Sequence, residues 1–312
     1  MIMKVTHFFR KHNLISSVMS FLFMTTLVLT IISCCKEGEC KCKHDCPEEP
    51  IDYTRFFIAH AGGEIDGIDY TNSLEALNLS YSKGCRLFEL DLETTSDDKF
   101  VAVHDWEYFK VITNYSGTID NTPLSEEEFL SLKIHGKYTP MNMDAVNIWF
   151  QNHKDAILVV DKSNNPRKIY NDFQFRDRVI MELFSWDKID TAIKLGIKPM
   201  VNEYLIFGTS KKAIEMGFPP LPPLRNSDIE QILKDKKIEY ICSSRYKIIA
   251  NRDLFSRLKE KGIKNYVFHL QEPINGLPAE EYVWSYEMKF CYGMYANNLD
   301  LLTSLLNGET TK

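Results

Sequence analysis

The chain has no surplus of positive charge. Its 37 lysines and arginines face 43 aspartates and glutamates, for a formal net charge of −6. This mildly acidic balance argues against nucleic acid as the main partner, since a phosphate backbone calls for a basic face. There is no visible internal repeat of roughly 20–50 residues and no long low-complexity tract, so a repeat architecture is excluded. The cysteine-rich stretch near the N-terminus, with Cys40, Cys42 and Cys46 around His44, lacks the spacing of a structural zinc site. Such sites prefer about two to four residues between paired cysteines. In an oxidising compartment disulfides are the expected fate of these thiols. Cys85, Cys242 and Cys291 sit in apolar, strand-like segments and read as buried bystanders. What is present is ordinary globular composition, 44% hydrophobic and 26% charged over 312 residues.

The N-terminus stands apart from the rest. "MIMKVTHFFRKHN" is basic, residues 14–33 are apolar without a charge, and "CC" follows. A basic start, an apolar core and small residues before the break read as a secretory signal over residues 1–33. "IISC", residues 31–34, resembles a bacterial lipobox. That resemblance implies cleavage before Cys34 and a lipid on its thiol. The apolar run is also long enough for an uncleaved membrane anchor. Either way the expectation is a tethered protein of the cell envelope, periplasmic or at the cell surface. Residues 34–53 are polar and without periodicity, a linker. The folded domain is expected over residues 54–312.

Short apolar runs with strand character appear at 55–60, 86–92, 156–161, 179–184, 198–204, 240–243, 265–270 and 290–296. Amphipathic stretches lie between most of them. Residues 73–83 follow a Thr71–Asn72–Ser73 cap region, and the helices expected at 186–195 and 252–261 end at Gly196 and Gly262. Eight strands alternating with helices predict an α/β fold, a (β/α)8 barrel. A ninth apolar stretch, 100–105, has no helix before it. It is expected to fold back as a hairpin arm at the barrel mouth.

The hairpin carries the chemistry. "LFELDLETTSDDKFVAVHDW", residues 87–106, puts Glu89 and Asp91 on one strand face, because strand side chains alternate with period two. With Asp97 and Asp98 as the two central turn residues, Asp91 lies opposite His104, at about 4.5–5.5 Å between Cβ atoms. Two carboxylates that close repel unless a cation or proton sits between them, and oxygen ligands suit Mg²⁺ or Ca²⁺. The alternative is an exposed hairpin with charged outer positions. Barrel enzymes keep their reactive groups at the C-terminal ends of strands. His60, Glu89, Asp91, His104, Asp161, Lys162 and Glu203 all fall at such ends. Glu203 alone reads better as a rim residue paired with a lysine. His135, His153 and His269 lack motif company and read as ordinary, and Asn72 reads as a helix cap. Trp106 and Tyr108 either line the cleft or pack in a core or lid.

"IAHAGG", "NSLEAL", "ELDLETTSDDKFVAVHD" and "LVVDK" resemble the glycerophosphodiester phosphodiesterase family, over roughly residues 54–300. The resemblance implies a phosphoric diester hydrolase with a divalent cation held by Glu89, Asp91 and Asp161. It implies His60 and His104 as general acid and base, and Lys162 is then placed to contact a phosphate oxygen. It also implies a small-molecule, lipid or polysaccharide phosphodiester as substrate. A related variant is transesterification to a cyclic phosphate. The chain departs from the family pattern at Ala61, where arginine is usual, and at Thr71, where glutamate is usual. It also departs at Asp161, where the acid is usually glutamate, and at "YANN", residues 295–298, in place of Thr–Asp–x–Pro. The competing expectation is a surface lipoprotein that kept the barrel to bind a carbohydrate or lipid headgroup and lost turnover.

Overall fold

In the computed structural model, residues 51–211, 214, 219–270 and 272–309 are described. The leader, Cys34 and the Cys40–Cys46 cluster lie outside them. Among the described residues no helix is long and apolar enough to cross a membrane.

Eight parallel strands form the wall of the barrel: β1 (Phe57–Ala59), β2 (Leu87–Thr94), β4 (Ile157–Asp161), β5 (Val179–Leu183), β6 (Lys198–Asn202), β7 (Tyr240–Ser244), β8 (Lys264–Phe268) and β9 (Gly293–Ala296). The order runs β1-β9-β8-β7-β6-β5-β4-β2, and pairing of β1 with β2 closes it. This is the expected (β/α)8 barrel, with each expected strand within a few residues of its position. Both faces of the wall are buried, so the strands read as nearly continuous apolar runs. On β4, Leu158 and Val160 pack outward against the helices while Val159 points to the interior. Ile58, Leu87, Ile180, Met200 and Tyr266 share that interior. Each such side chain contributes about 1.5–3 kcal/mol on full burial.

The helices follow their patterns. Arg252–Glu260 buries Leu254, Phe255 and Leu258 on one stripe and carries its charges on the other. It stops where Gly262 takes φ +82°, a left-handed C-terminal position that glycine adopts without a Cβ penalty. Trp186–Lys194 ends the same way at Gly196.

The third strand in chain order, β3 (Phe100–Ala102), is the expected arm. It pairs antiparallel with the end of β2 and stays out of the wall. Its register differs from expectation. Leu92 pairs with Ala102, Glu93 with Val101 and Thr94 with Phe100. The turn has three central residues, Ser96 to Asp98, with Asp98 at φ +61° and the Thr95 amide donating to Lys99 O at 2.9 Å. A three-residue turn closed by a left-handed residue shifts the ladder by one position relative to a two-residue turn. Val103, not His104, therefore faces Asp91, and its amide donates to Asp91 O at 2.8 Å.

After β3 the chain builds a small core of its own that sequence patterning had not indicated. Val101, Trp106, Phe109, Phe129 and Tyr138 are its centre, with the Phe109 and Phe129 rings stacked at 4.5 Å. Trp106 is thus packing, 4% exposed, and does not line the cleft.

Candidate active site

Strand β2 is long enough to do two jobs. Its first half is wall, and its inward positions after Leu87 are Glu89 and Asp91. Neighbouring β4 is in parallel register, with Asp91 level with Asp161 and Glu89 level with Val159. One ligand atom from each of Glu89, Asp91 and Asp161 lies within 4.8 Å of the others. Glu89 is 1% exposed and Asp91 2%. Burial pushes Glu89 well above the usual carboxylate range, with Asp91 and Asp161 adding to it. Burial likewise raises Asp161, followed by repulsion from Glu182 and Asp91.

Backbone and amide donors aim these acids. Glu89 Oε2 accepts from the Ala61 amide at 2.6 Å, while buried Glu89 Oε1 has no hydrogen-bond partner. Asn72 grips Asp91 twice: its Nδ2 donates to Asp91 Oδ2 at 2.9 Å and its Oδ1 accepts from the Asp91 amide at 3.0 Å. Asn72 is therefore an orienting residue for a site carboxylate, not the helix cap expected. Ser73 caps the helix Leu74–Ser82, its side chain accepting from the Ala76 amide. Asp161 Oδ1 accepts from the Lys162 amide at 2.5 Å, so their tie runs through backbone and not as an ion pair.

His60 sits at the end of β1 on a tight turn. Ala61, Gly62 and Gly63 all have positive φ. At Gly63, with φ +94°, a Cβ would lie 2.1 Å from Ser80 Oγ, so only glycine fits. His60 Nδ1 and Asn297 Oδ1 are 2.8 Å apart, and Asn297 Nδ2 donates to Asp69 Oδ2 at 3.1 Å. Asp69, an acceptor, fixes which way the amide faces. Asn297 Oδ1 then accepts from His60 Nδ1–H, leaving Nε2 as the basic nitrogen. Burial lowers the His60 pKa, outweighing the opposing pull of Asp91. His104 has left the β3 ladder and turned at a bend. Its Nδ1–H donates to Asp105 Oδ2 at 2.8 Å. Burial would raise Asp105, but the bonds from His104 and the Tyr108 amide hold it below its ordinary value.

His60, His104, Asp91, Asp161 and Lys162 line one cleft of about 210 Å³ at the carboxyl ends of the strands. Glu89 lies beneath it with the other two acids. The cleft lining also includes residues that sequence does not single out as part of the site, among them Glu182, Tyr70 and His269. Glu182 is 5% exposed, accepting from Asn202 Nδ2 at 2.5 Å and Tyr295 OH at 3.0 Å. Tyr70 touches both imidazoles. His269, read as ordinary, directly follows β8 and lines the cleft. An acid at an inward, late strand position was the available signal for Glu182, but one such residue among apolar neighbours in "VIMELF" was passed over. Glu203 accepts from the Ser244 amide and hydroxyl at 2.7 and 2.8 Å, so it braces β7 and does not pair with a rim lysine.

Fold and site together define a (β/α)8-barrel enzyme with its reactive groups at the C-terminal mouth. A model of the glycerophosphoryl diester phosphodiesterase family matches residues 60–294. The chain belongs to that family and is a phosphodiesterase. Comparison with curated proteins gives no match. Among solved structures, a glycerophosphodiester phosphodiesterase from Parabacteroides distasonis is similar at 13% identity and a TM-score of 0.57, covering 81% of this chain and 97% of that one. A glycerophosphodiester phosphodiesterase from Thermotoga maritima is similar at 17% identity and a TM-score of 0.55, covering 80% and 96%. An Oleispira antarctica phosphodiesterase, in complex with the product sn-glycerol-3-phosphate, is similar at 15% identity and a TM-score of 0.55, covering 82% and 98%. At these identities the likeness bears on the fold.

Proposed function

We propose that the chain hydrolyses a glycerophosphodiester, or a related phosphodiester of envelope lipid or polysaccharide, with a divalent cation held by Glu89, Asp91 and Asp161. The observation that carries this is the acidic trio within 4.8 Å, with one buried Glu89 oxygen lacking any donor. Uncompensated charge of that kind calls for a cation, and an all-oxygen set suits Mg²⁺ or Ca²⁺. When bound, the cation supplies positive charge against a phosphoryl oxygen and so lowers the barrier to attack on an anionic diester.

The side chains around it divide the proton work. His60, neutral near pH 7 because burial lowers its pKa, offers Nε2 as general base to the attacking hydroxyl. His104, its Nδ1 bound to the Asp105 carboxylate, serves as general acid to the leaving alkoxide. One P–O bond forms as the other breaks, and one proton is taken up and one released. Lys162 brings a mobile point charge to a phosphate oxygen. The attacking hydroxyl belongs to water, or to the substrate itself if a cyclic phosphate forms; phosphorus NMR of the product distinguishes the two. The leader and "IISC" support a lipid on Cys34 and a place on the membrane of the cell envelope.

The test is turnover of glycerophosphocholine and an aryl phosphodiester by the full-length chain in detergent, beside His60→Ala. Activity should need Mg²⁺ or Ca²⁺, vanish with EDTA and fall at least ~10²-fold in the variant. No turnover with Mg²⁺, Ca²⁺ or Mn²⁺, together with measurable sugar binding, would favour a binding lipoprotein instead.

A further inference from the structure

Tyr70 stands between the two imidazoles. Its ring centroid is 4.6 Å from that of His60, edge to face at 72°, and 5.2 Å from that of His104 at 86°. It lines the same cleft as Asp91 and Lys162. Its backbone is left-handed, at φ +56°. An aromatic side chain is strained there, and such a residue persists only where its surroundings dictate it. The surroundings are the site itself. Asp69, one residue before, binds the amide of Asn297 that orients His60. Asn72, two residues after, clamps Asp91. The short segment from Asp69 to Asn72 thus ties the His60 side of the cleft to the acidic side, with the Tyr70 ring against both imidazoles. At the neighbouring turn Ala61 is fully buried and offers only its amide, which Glu89 occupies. No guanidinium is available there for a phosphoryl oxygen.

We propose that Tyr70 is a substrate-contacting residue, its ring fixing the separation of His60 and His104 and its phenol donating to a phosphoryl oxygen. A phenol O–H to an anionic oxygen is a charge-assisted bond with direction but no net charge of its own. This rests on the phosphodiesterase reading, and the experiment separates the two. Inorganic phosphate, titrated into the full-length chain with saturating Mg²⁺ and followed by calorimetry, is the first readout. Tyr70→Phe keeps the ring and should weaken phosphate about tenfold. Turnover of bis(4-nitrophenyl) phosphate is the second. Tyr70→Phe should lose about tenfold in kcat/KM, and Tyr70→Ala about a hundredfold with a fall in kcat, while Mg²⁺ affinity stays at the wild-type value. Unchanged phosphate affinity in Tyr70→Phe overturns the proposal, and it does so even if Tyr70→Ala fails to fold. A Tyr70→Ala enzyme faster than wild type also overturns it, since the ring would then obstruct the cleft. If wild type turns over no diester, the phosphodiesterase reading falls and the phosphate series alone decides Tyr70.

Discussion

Glu89→Gln is the sharpest probe of the acidic trio, because it should stabilise the protein while disabling it. Two charged carboxylates at 4.8 Å, the spread of the trio's ligand atoms, repel by about 3.5 kcal/mol at an effective dielectric near 20. Glu89 faces two such neighbours, and its Oε1 gains nothing from any donor. Part of the repulsion is relieved in the metal-free wild type by proton uptake, since burial and repulsion raise both Glu89 and Asp161. A carboxyl whose folded pKa lies above its unfolded value favours folding below the unfolded pKa, and that contribution is lost as pH rises through the folded value. Metal-free protein should therefore lose stability from about pH 5 upward, and a bound cation should restore it. At a hundred times its Kd a cation adds about 2.7 kcal/mol, or roughly 5–10 °C for a domain of this size. The assay is thermal unfolding at pH 5 and pH 8, in EDTA and in excess Mg²⁺ or Ca²⁺. Wild type should show the larger metal shift at pH 8. Glu89→Gln should melt about 4 °C or more above wild type in EDTA and respond little to either cation. If the variant is as labile as wild type in EDTA and rises as far with metal, the trio does not hold a cation through Glu89.

Three further outcomes follow from the surrounding residues. Asn72→Ala removes both bonds that orient Asp91. Divalent affinity by calorimetry should fall about tenfold or more, as loss of a partner behind a ligand does, with the fold retained. The acid limb of the kcat/KM profile should lie below the usual imidazole value of about 6.5, because burial lowers His60. Asn297→Asp sets a carboxylate against Nδ1, favours the imidazolium and should move that limb to higher pH.

The barrel was legible because its strands are buried on both faces. "AILVVD" and "NYVFHL" are nearly continuous apolar runs too short to show a helix period, and Gly196 and Gly262 mark helix ends by a backbone requirement. Glu89 and Asp91 were legible because strand periodicity puts them on one face without any knowledge of the fold, whereas Asp161, His60 and His104 stood out through the family resemblance. What failed was local turn geometry. The choice between two and three central residues turns on whether Asp98 goes left-handed, which strand alternation does not reveal. The core was invisible for a similar reason: Val101, Trp106, Phe109 and Phe129 come from a strand end and two short helices, too brief to show a period. The tie between Asn297 and Asp69 is not legible in sequence, because it forms only where β9 comes to lie beside β1, between residues 228 apart in the chain.

The departures from the family pattern bear on the charge of the cleft. Ala61 leaves the backbone amide that Glu89 needs but supplies no guanidinium. Asn297 keeps the acceptor that His60 needs but carries no charge. Among the described residues lining the cleft, Lys162 is then the one side chain permanently positive, against Asp91, Asp161 and Glu182, with Glu89 directly beneath. Without a cation that field repels a phosphodiester, and a low-dielectric wall strengthens the repulsion. With one divalent charge bound among the acids the balance at the phosphoryl position reverses. Cation binding should therefore precede substrate, and inorganic phosphate should show no measurable affinity for EDTA-treated protein while binding readily in Mg²⁺. Equal phosphate affinity in EDTA and in Mg²⁺ would mean that Lys162 and the imidazoles suffice to hold the anion, and the electrostatic order of events argued from these acids would be wrong.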